Sequence, residues 1–315
     1  MNDNRILIIG SEGQLGIELC EALQKYYPDE TIIRADIRSS THASNTPFEF
    51  LDVTDADAIR ALVDKHQITE VYLLAALLSA SAEKNIKQAW KVNIQGLLNL
   101  LELGREGVIQ KLFWPSSIAI FGYESQREQC PQNGIHKPIT VYGISKLTGE
   151  HWCQYYHQKY NFDVRSIRYP GLISFKSPPG GGTTDYVMDM FRAATAETEM
   201  RCAINPEKAL PMLYISDAVE ATIQLMHAES SKISIRDSYN IGGLSFSPKQ
   251  LALALQERYP HFRPEYQRDF RYDIAESWPD SMSYKEASYD WNYQPKIDFE
   301  KMMSIMTSNM GVTAN

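Results

Sequence analysis

The chain has 315 residues, 43% of them hydrophobic and 22% charged, which excludes disordered, collagen-like and coiled-coil classes and predicts one large or two packed domains. Its 31 Lys and Arg against 39 Asp and Glu leave a net charge of −8 with no long basic run, so nucleic acids and anionic membranes are not expected partners. Small-molecule chemistry is the remaining default.

Residues 5–10, led by Ile6, Leu7, Ile8 and Ile9, predict a fully buried strand, followed by glycines and a helix through Leu15, Leu19 and Leu23. The alternation continues with strand 31–36, helix 55–66, strand 70–76, a long helix 86–104, strand 111–116, helix 141–160 and strand 164–169. Apolar strands alternating with amphipathic helices predict parallel βαβ units and an α/β, doubly wound sheet. Beyond Pro170, residues 177–184 read as a loop by their Pro and Gly content, and shorter elements follow. These are helix 185–196, strands 201–204 and 212–215, and helices 217–227, 248–259 and 299–308, which predict a smaller mixed α/β lobe.

The four cysteines, Cys20, Cys130, Cys153 and Cys202, form no C-x-x-C pair, so reduced thiols are expected rather than disulfides or a zinc site. The start of the chain lacks the pattern of a secretory signal, and no apolar run approaches the roughly 20 residues of a membrane span. A cytoplasmic location is expected.

Gly10, Gly13 and Gly16 form G-x-x-G-x-x-G between the first strand and its helix, with Gln14 and Leu15 opening that helix. Glycines there allow a tight turn and close approach of a pyrophosphate to backbone N–H groups at a helix N-terminus. Asp36 ends the second strand 20 positions after Gly16, where a carboxylate accepts from ribose hydroxyls and repels a 2′-phosphate. NAD is therefore favoured over NADP, although Arg34 and Arg38 flank the carboxylate. Asp52 and Val53 are candidates for the adenine edge, whereas Asp55 is expected to cap the next helix.

Tyr142 and Lys146 form Y-x-x-x-K on one helical face, where an ammonium favours the phenolate and suits the phenol to general-base work. Tyr155 and Lys159 repeat the pattern 13 residues on. That places them about 20 Å along and roughly 220° around the same helix, outside any shared site. Ser116 and Ser117 stand where the fourth long strand ends, at the carboxyl edge that binds ligands in doubly wound folds. Strand side chains alternate, so one of the two faces the substrate, and Ser117 is favoured.

Taken in order, the glycine motif, Asp36, Leu74-Ala75-Ala76, Asn93, the serine pair, Tyr142, Lys146 and Arg168-Tyr169-Pro170-Gly171 resemble the extended short-chain dehydrogenase/reductase superfamily over most of the chain. The resemblance implies a Rossmann-type NAD domain over residues 1–170, with later segments free to join its sheet, and a substrate lobe with C-terminal helices over 171–315. It implies that Tyr142 is the acid/base, that Lys146 bonds the nicotinamide ribose and that Ser117 orients the reacting oxygen. Asn93 would support the lysine through a water. Leu74, Ala75, Ala76 and Ser116 would line the cofactor, and Tyr169 and Leu172 would sit in a turn facing the nicotinamide. It also implies a homodimer built on helices 86–104 and 141–160.

Narrower segments resemble the short-chain-type L-threonine 3-dehydrogenases: Leu74 to Ala80, Arg168 to Ser174, Pro178 to Tyr186, and Glu276-Ser277-Trp278-Pro279. The resemblance implies L-threonine as substrate and 2-amino-3-oxobutanoate as product. The residues suit it: Gly182 and its neighbours let backbone approach a small ligand, Thr183 and Thr184 offer hydroxyls to a carboxylate, and Asp185 offers a counter-charge to an ammonium. Trp278 is placed as a cover that excludes water. Ser79 is a further substrate-binding candidate, and three of these residues have a structural alternative: Asp185 as a helix cap, Ser79 as a turn residue, Trp278 as core packing. The seven histidines lack the spacing of a zinc motif, so no metal is expected. The main rival is a nucleotide-sugar epimerase or dehydratase of the same superfamily, for which Arg192, Arg201 and Lys208 would serve a diphosphate. A non-catalytic NAD-binding regulator is a distant third.

Overall fold

The computed structural model describes residues 4–28, 30–40, 46–176 and 180–310. The expected loop residues Ser177, Pro178 and Pro179 lie outside them. Strands β1 (Arg5–Ile9), β2 (Thr31–Asp36), β3 (Phe48–Phe50), β4 (Glu70–Leu73), β5 (Lys111–Ser117), β6 (Asp163–Tyr169), β7 (Gly171–Ile173), β8 (Arg201–Cys202), β9 (Leu210–Tyr214), β10 (Tyr239–Asn240), β11 (Leu244–Phe246) and β12 (Glu265–Tyr266) alternate with helices. The helices are α1 (Gln14–Tyr26), α2 (Ala56–His66), α3 (Ser79–Lys84), α4 (Ile86–Trp90), α5 (Gly96–Arg105), α6 (Val141–Tyr160), α7 (Tyr186–Ala196), α8 (Ile215–His227), α9 (Pro248–Arg258), α10 (Phe270–Ser277), α11 (Lys285–Trp291) and α12 (Phe299–Met310).

Seven strands form one parallel sheet in the order β10-β6-β5-β4-β1-β2-β3. The order turns back beside β1, where β2 and β4 leave on opposite sides, and this opens a crevice at the carboxyl ends of the strands. Both faces of the sheet are covered, which is why β1 reads as an unbroken apolar run. Ile6 and Ile8 point into one core with α1, while Leu7 and Ile9 point into the other with α2 and α5. Each such aliphatic side chain contributes about 1.5–3 kcal/mol by burial. The first of these cores continues without a break through the second lobe as far as Met310.

The structure corrects several expectations. The strand expected over 70–76 ends at Leu73, because the next two amides, of Leu74 and Ala75, both turn back to the Ile9 carbonyl at 2.8 and 3.0 Å. The long helix expected over 86–104 is α4 and α5 joined by a π-helical turn, Lys91–Gln95. The second lobe, as the expected domain bounds allowed, sends a strand back: β10 pairs with β6 at the edge of the main sheet. What remains of that lobe is a three-stranded sheet, β11-β9-β7, a β12-β8 pair and the helices around them.

Candidate functional site

β1 runs into Gly10, whose φ of +90° favours glycine. A Cβ there would stand 2.6 Å from the Ala75 amide nitrogen, and one at Gly16 would overlap the Gly10 carbonyl oxygen. Gly13 caps α1 and has no side chain to take the first amides of the helix at Gln14 and Leu15. A backbone cradle that any Cβ would fill, beneath an open helix N-terminus, fits a dinucleotide pyrophosphate.

Asp36 closes β2 and is buried. Its Oδ2 accepts from the Glu12 amide at 3.0 Å, and its Oδ1 from the Arg38 amide at 2.9 Å and Arg38 Nε at 3.2 Å. The Arg38 side chain is 61% exposed, so it is free to yield its place to a ribose. Arg34 points elsewhere, into a buried ion pair with Glu12. Asp52 Oδ1 is folded onto Thr54, accepting from its amide at 2.9 Å and its hydroxyl at 2.8 Å. Val53 is buried, with its carbonyl taken by Asn99 Nδ2 at 3.1 Å. Asp55 does cap α2, accepting from the Ala58 amide at 3.0 Å.

The segment after β4 emerges half-buried at Leu74, Ala75 and Ala76, beside Gly10. Asn93, within the π turn, holds it: Oδ1 accepts from the Leu77 amide, and Nδ2 donates to the Leu77 carbonyl and to Ser145 Oγ. Its side chain thus anchors the Leu77 backbone and ties it to α6. Sequence spacing carried no sign of this.

The serine pair separates by strand alternation. Ser116 is buried and donates to Glu150 Oε1, whereas Ser117 accepts from the Ala119 amide and stands beside Tyr142, where it favours the charged phenol. A Cβ at Gly143 would overlap the Ala119 carbonyl oxygen, so glycine at this position lets the start of α6 close on the turn after Ser117. Lys146, one turn along, is 1% exposed. Its Nζ donates to the Pro115 carbonyl at 2.6 Å and lies 4.4 Å from the Trp114 ring centre and 5.5 Å from that of Tyr142. Burial pushes Tyr142 up to about 12 against the pull of Ser117, and lowers Lys146 to about 7 despite nearby Cys153 and Glu150. Both charged forms are disfavoured in the cofactor-free chain.

One more turn along α6, Glu150 receives Arg168 Nε and Nη2 at 2.9 and 2.8 Å, both side chains being buried. Burial raises this carboxyl and Arg168 works against it. Tyr142, Lys146 and Glu150 continue one i, i+4, i+8 face, a signal that was available in the sequence. Tyr169 is turned away from the crevice, with its hydroxyl bonded to Thr222 on α8. Leu172 lies in β7, half-buried.

Across the crevice, Ser79 Oγ and Thr183 Oγ1 are 3.2 Å apart, both buried. Thr184 packs against Gly171. Asp185 organises its own loop, its Oδ2 accepting from the Gly181 and Gly182 amides at 2.8 and 2.7 Å, while burial raises its carboxyl. Trp278 belongs to the core, as its structural alternative expected, and its carbonyl accepts from Arg127 Nη1 and Lys208 Nζ, each at 2.8 Å. The preceding α10 rests on the Thr183–Asp185 turn. The basic groups that kept a diphosphate in view are each paired: Arg192 with Asp189, Arg201 with Glu265, Lys208 with Asp280.

A model of the NAD dependent epimerase/dehydratase family matches residues 6–242. The chain belongs to that family. This epimerase/dehydratase-family chain is 40% identical over 306 residues to an uncharacterized epimerase/dehydratase of Staphylococcus haemolyticus, covering 96% of each. Among solved structures it is similar to a partial consensus L-threonine 3-dehydrogenase, at 48% identity and TM-score 0.96 over 98% of this chain and 100% of the other. A GalE-like L-threonine dehydrogenase from Cupriavidus necator, in a holo form, matches at 45% and 0.94 over 97% and 99%. A monomeric L-threonine 3-dehydrogenase from a metagenome matches at 39% and 0.94 over 98% and 100%.

Proposed function

We infer that this chain oxidises L-threonine at its 3-hydroxyl to 2-amino-3-oxobutanoate with NAD. The nearness of Ser117 to Tyr142, with buried Lys146 Nζ 5.5 Å from the Tyr142 ring centre, carries the reaction type, because it sets a proton acceptor beside a hydroxyl able to orient the reacting oxygen. The choice of substrate is supported by likeness to L-threonine 3-dehydrogenases along nearly the whole chain. NAD, held by the glycine cradle, Asp36, the Leu74–Ala76 segment and Lys146, supplies the hydride acceptor for C3.

Tyr142 as phenolate takes the hydroxyl proton onto its Oη. Ser117 donates to the same oxygen as it becomes a carbonyl, and Lys146 stabilises the phenolate. Thr183 and Thr184 serve the substrate carboxylate. Asp185 Oδ1 serves its ammonium, because Oδ2 already holds the loop. Residues 1–170 hold the dinucleotide and residues 171–315 select the substrate.

The two long helices carry exposed Ile86, Trp90, Ile144, Trp152 and Tyr155, an apolar face that suits a homodimer, to be checked by light scattering. Four free, buried cysteines suit a reducing cytoplasm. No helix among the described residues is long and apolar enough to cross a membrane.

The test is formation of reduced nicotinamide from NAD with L-threonine, alongside UDP-glucose and UDP-galactose. Net reduction with threonine alone is expected. Conversion of a UDP-sugar without net reduction would support the epimerase reading, and activity with none of them would sink the proposal.

A further inference from the structure

The sequence leaves Arg34 as a cation of uncertain purpose beside Asp36, yet its guanidinium is enclosed. Nη1 lies 3.1 Å from Glu12 Oε1, with the two side chains only 6% and 4% exposed. Nη1 also meets Ser40 Oγ at 3.1 Å, Nη2 donates to the Thr46 carbonyl at 3.4 Å, and the group lies 5.6 Å from the Phe48 ring centre. Nε has no acceptor among the described residues. A guanidinium buried this far requires its counter-charge to stay in place. That counter-charge stands between Gly10 and Gly13, and the amide of the same residue, Glu12, is the one that donates to Asp36 Oδ2.

We propose that Arg34 is a positioning residue for the adenosine end of NAD: its ion pair with Glu12 holds the peptide that orients Asp36 toward the ribose hydroxyls. The same pairing withholds the Arg34 charge from a 2′-phosphate. The proposal rests on the NAD binding inferred above and not on which alcohol is oxidised.

Calorimetric titration of the full chain with NAD tests it in Arg34→Gln, Glu12→Gln, Asp36→Ala and Arg34→Gln/Asp36→Ala. Each of the first two variants is expected to raise the dissociation constant about tenfold, the size of one charge-assisted hydrogen bond, with kcat at saturating NAD changed less than about twofold. On the Asp36→Ala background, Arg34→Gln is expected to add almost nothing, because its effect passes through Asp36.

Unchanged NAD affinity in Glu12→Gln overturns the proposal, and so does an equal loss from Arg34→Gln with and without Asp36. Should Arg34→Gln fail to fold, the isosteric Glu12→Gln decides. A wild-type chain that binds NAD but leaves threonine untouched overturns the function proposed above and leaves this inference standing.

Discussion

Ser116 gives its hydroxyl to Glu150 Oε1 across 2.5 Å, whereas its neighbour Ser117 faces Tyr142. One serine therefore belongs to the buried charge network and the other to the crevice. Ser117→Ala is expected to lower kcat by about 10²-fold or more, as for loss of one oxyanion donor, with little change in melting temperature. Ser116→Ala should do the reverse, destabilising by about 1–3 kcal/mol because Glu150 loses a donor in a dry site. Paired steady-state kinetics and thermal melts check this, and equal kinetic losses in both variants would refute the division.

The proton acceptor starts from an unfavourable position, since burial holds Tyr142 up to about 12. Alcohol oxidation needs the phenolate, so kcat/KM is expected to climb with pH from neutrality into the alkaline range. Tyr142→Phe should bind NAD normally and lose about 10²–10⁴-fold in turnover. Lys146→Met removes the group inferred to bond the nicotinamide ribose beside Tyr142, so NAD affinity and turnover should fall together. A flat pH profile in the wild type would remove Tyr142 from the proton-transfer role.

Much of the dinucleotide half was legible because its physics is local. Strands covered on both faces must be apolar along their buried length, as β1 is from Ile6 to Ile9, and Gly16 is demanded by the Gly10 carbonyl six residues away. Asp36 and the spacing of Tyr142 and Lys146 were legible for the same reason. The two-residue β10 was not, since nothing within Tyr239-Asn240 makes a strand until β6 lies beside it. Nor was the fate of Arg34, which reads as an available cation until Glu12, 22 positions away, folds onto it. The serine pair lies between these cases: alternation showed that the two must differ, and Glu150 shows how.

Lys146 also leaves a mark on stability. Its ammonium titrates at about 10.5 when unfolded and about 7 in the cofactor-free fold, where burial opposes the charge. Between those values the unfolded chain holds a proton that the folded chain has lost, so this group makes the fold more stable as pH rises from about 7 toward 10.5. Below that window its full cost is present. Lys146→Met removes the cost, so its melting temperature relative to wild type should be highest near pH 6 and decline toward pH 9.5. Melts of the cofactor-free chains across that range check the sign, and a constant difference would contradict it.

Asp185 tests whether the substrate loop is built by its carboxylate. Oδ2 accepts from two successive amides, those of Gly181 and Gly182, and Gly181 has a φ of +87°. Asp185→Asn keeps one oxygen acceptor of similar size but removes the charge, so the loop should persist while the counter-charge for an ammonium is lost. The expected outcome is a rise in KM for L-threonine of about tenfold or more, with NAD affinity unchanged. Asp185→Ala should add a fall in kcat, because the unheld amides let Thr183 leave Ser79. Identical kinetics in the two variants would mean that holding the loop adds nothing beyond the charge.

Asn93 offers a sharper separation of donor from acceptor. It grips Leu77 from both sides, taking the amide at 2.9 Å and giving to the carbonyl at 3.1 Å, and its second donor contact is Ser145 on α6. The π turn that carries it departs from regular helix, and such turns recur at functional sites because they redirect a side chain. Asn93→Ala leaves the half-buried amide and carbonyl of Leu77 without this partner, at a cost of about 1 kcal/mol for each, and frees the Leu74–Leu77 segment beside the glycine cradle. NAD affinity and melting temperature should therefore fall together. Asn93→Asp keeps the acceptor for the Leu77 amide but sets a carboxylate against the Leu77 carbonyl, so it should bind NAD no better than Asn93→Ala. If Asn93→Asp instead binds NAD as wild type does, the donor contacts are dispensable and the amide of Leu77 is the only group that Asn93 needs to hold.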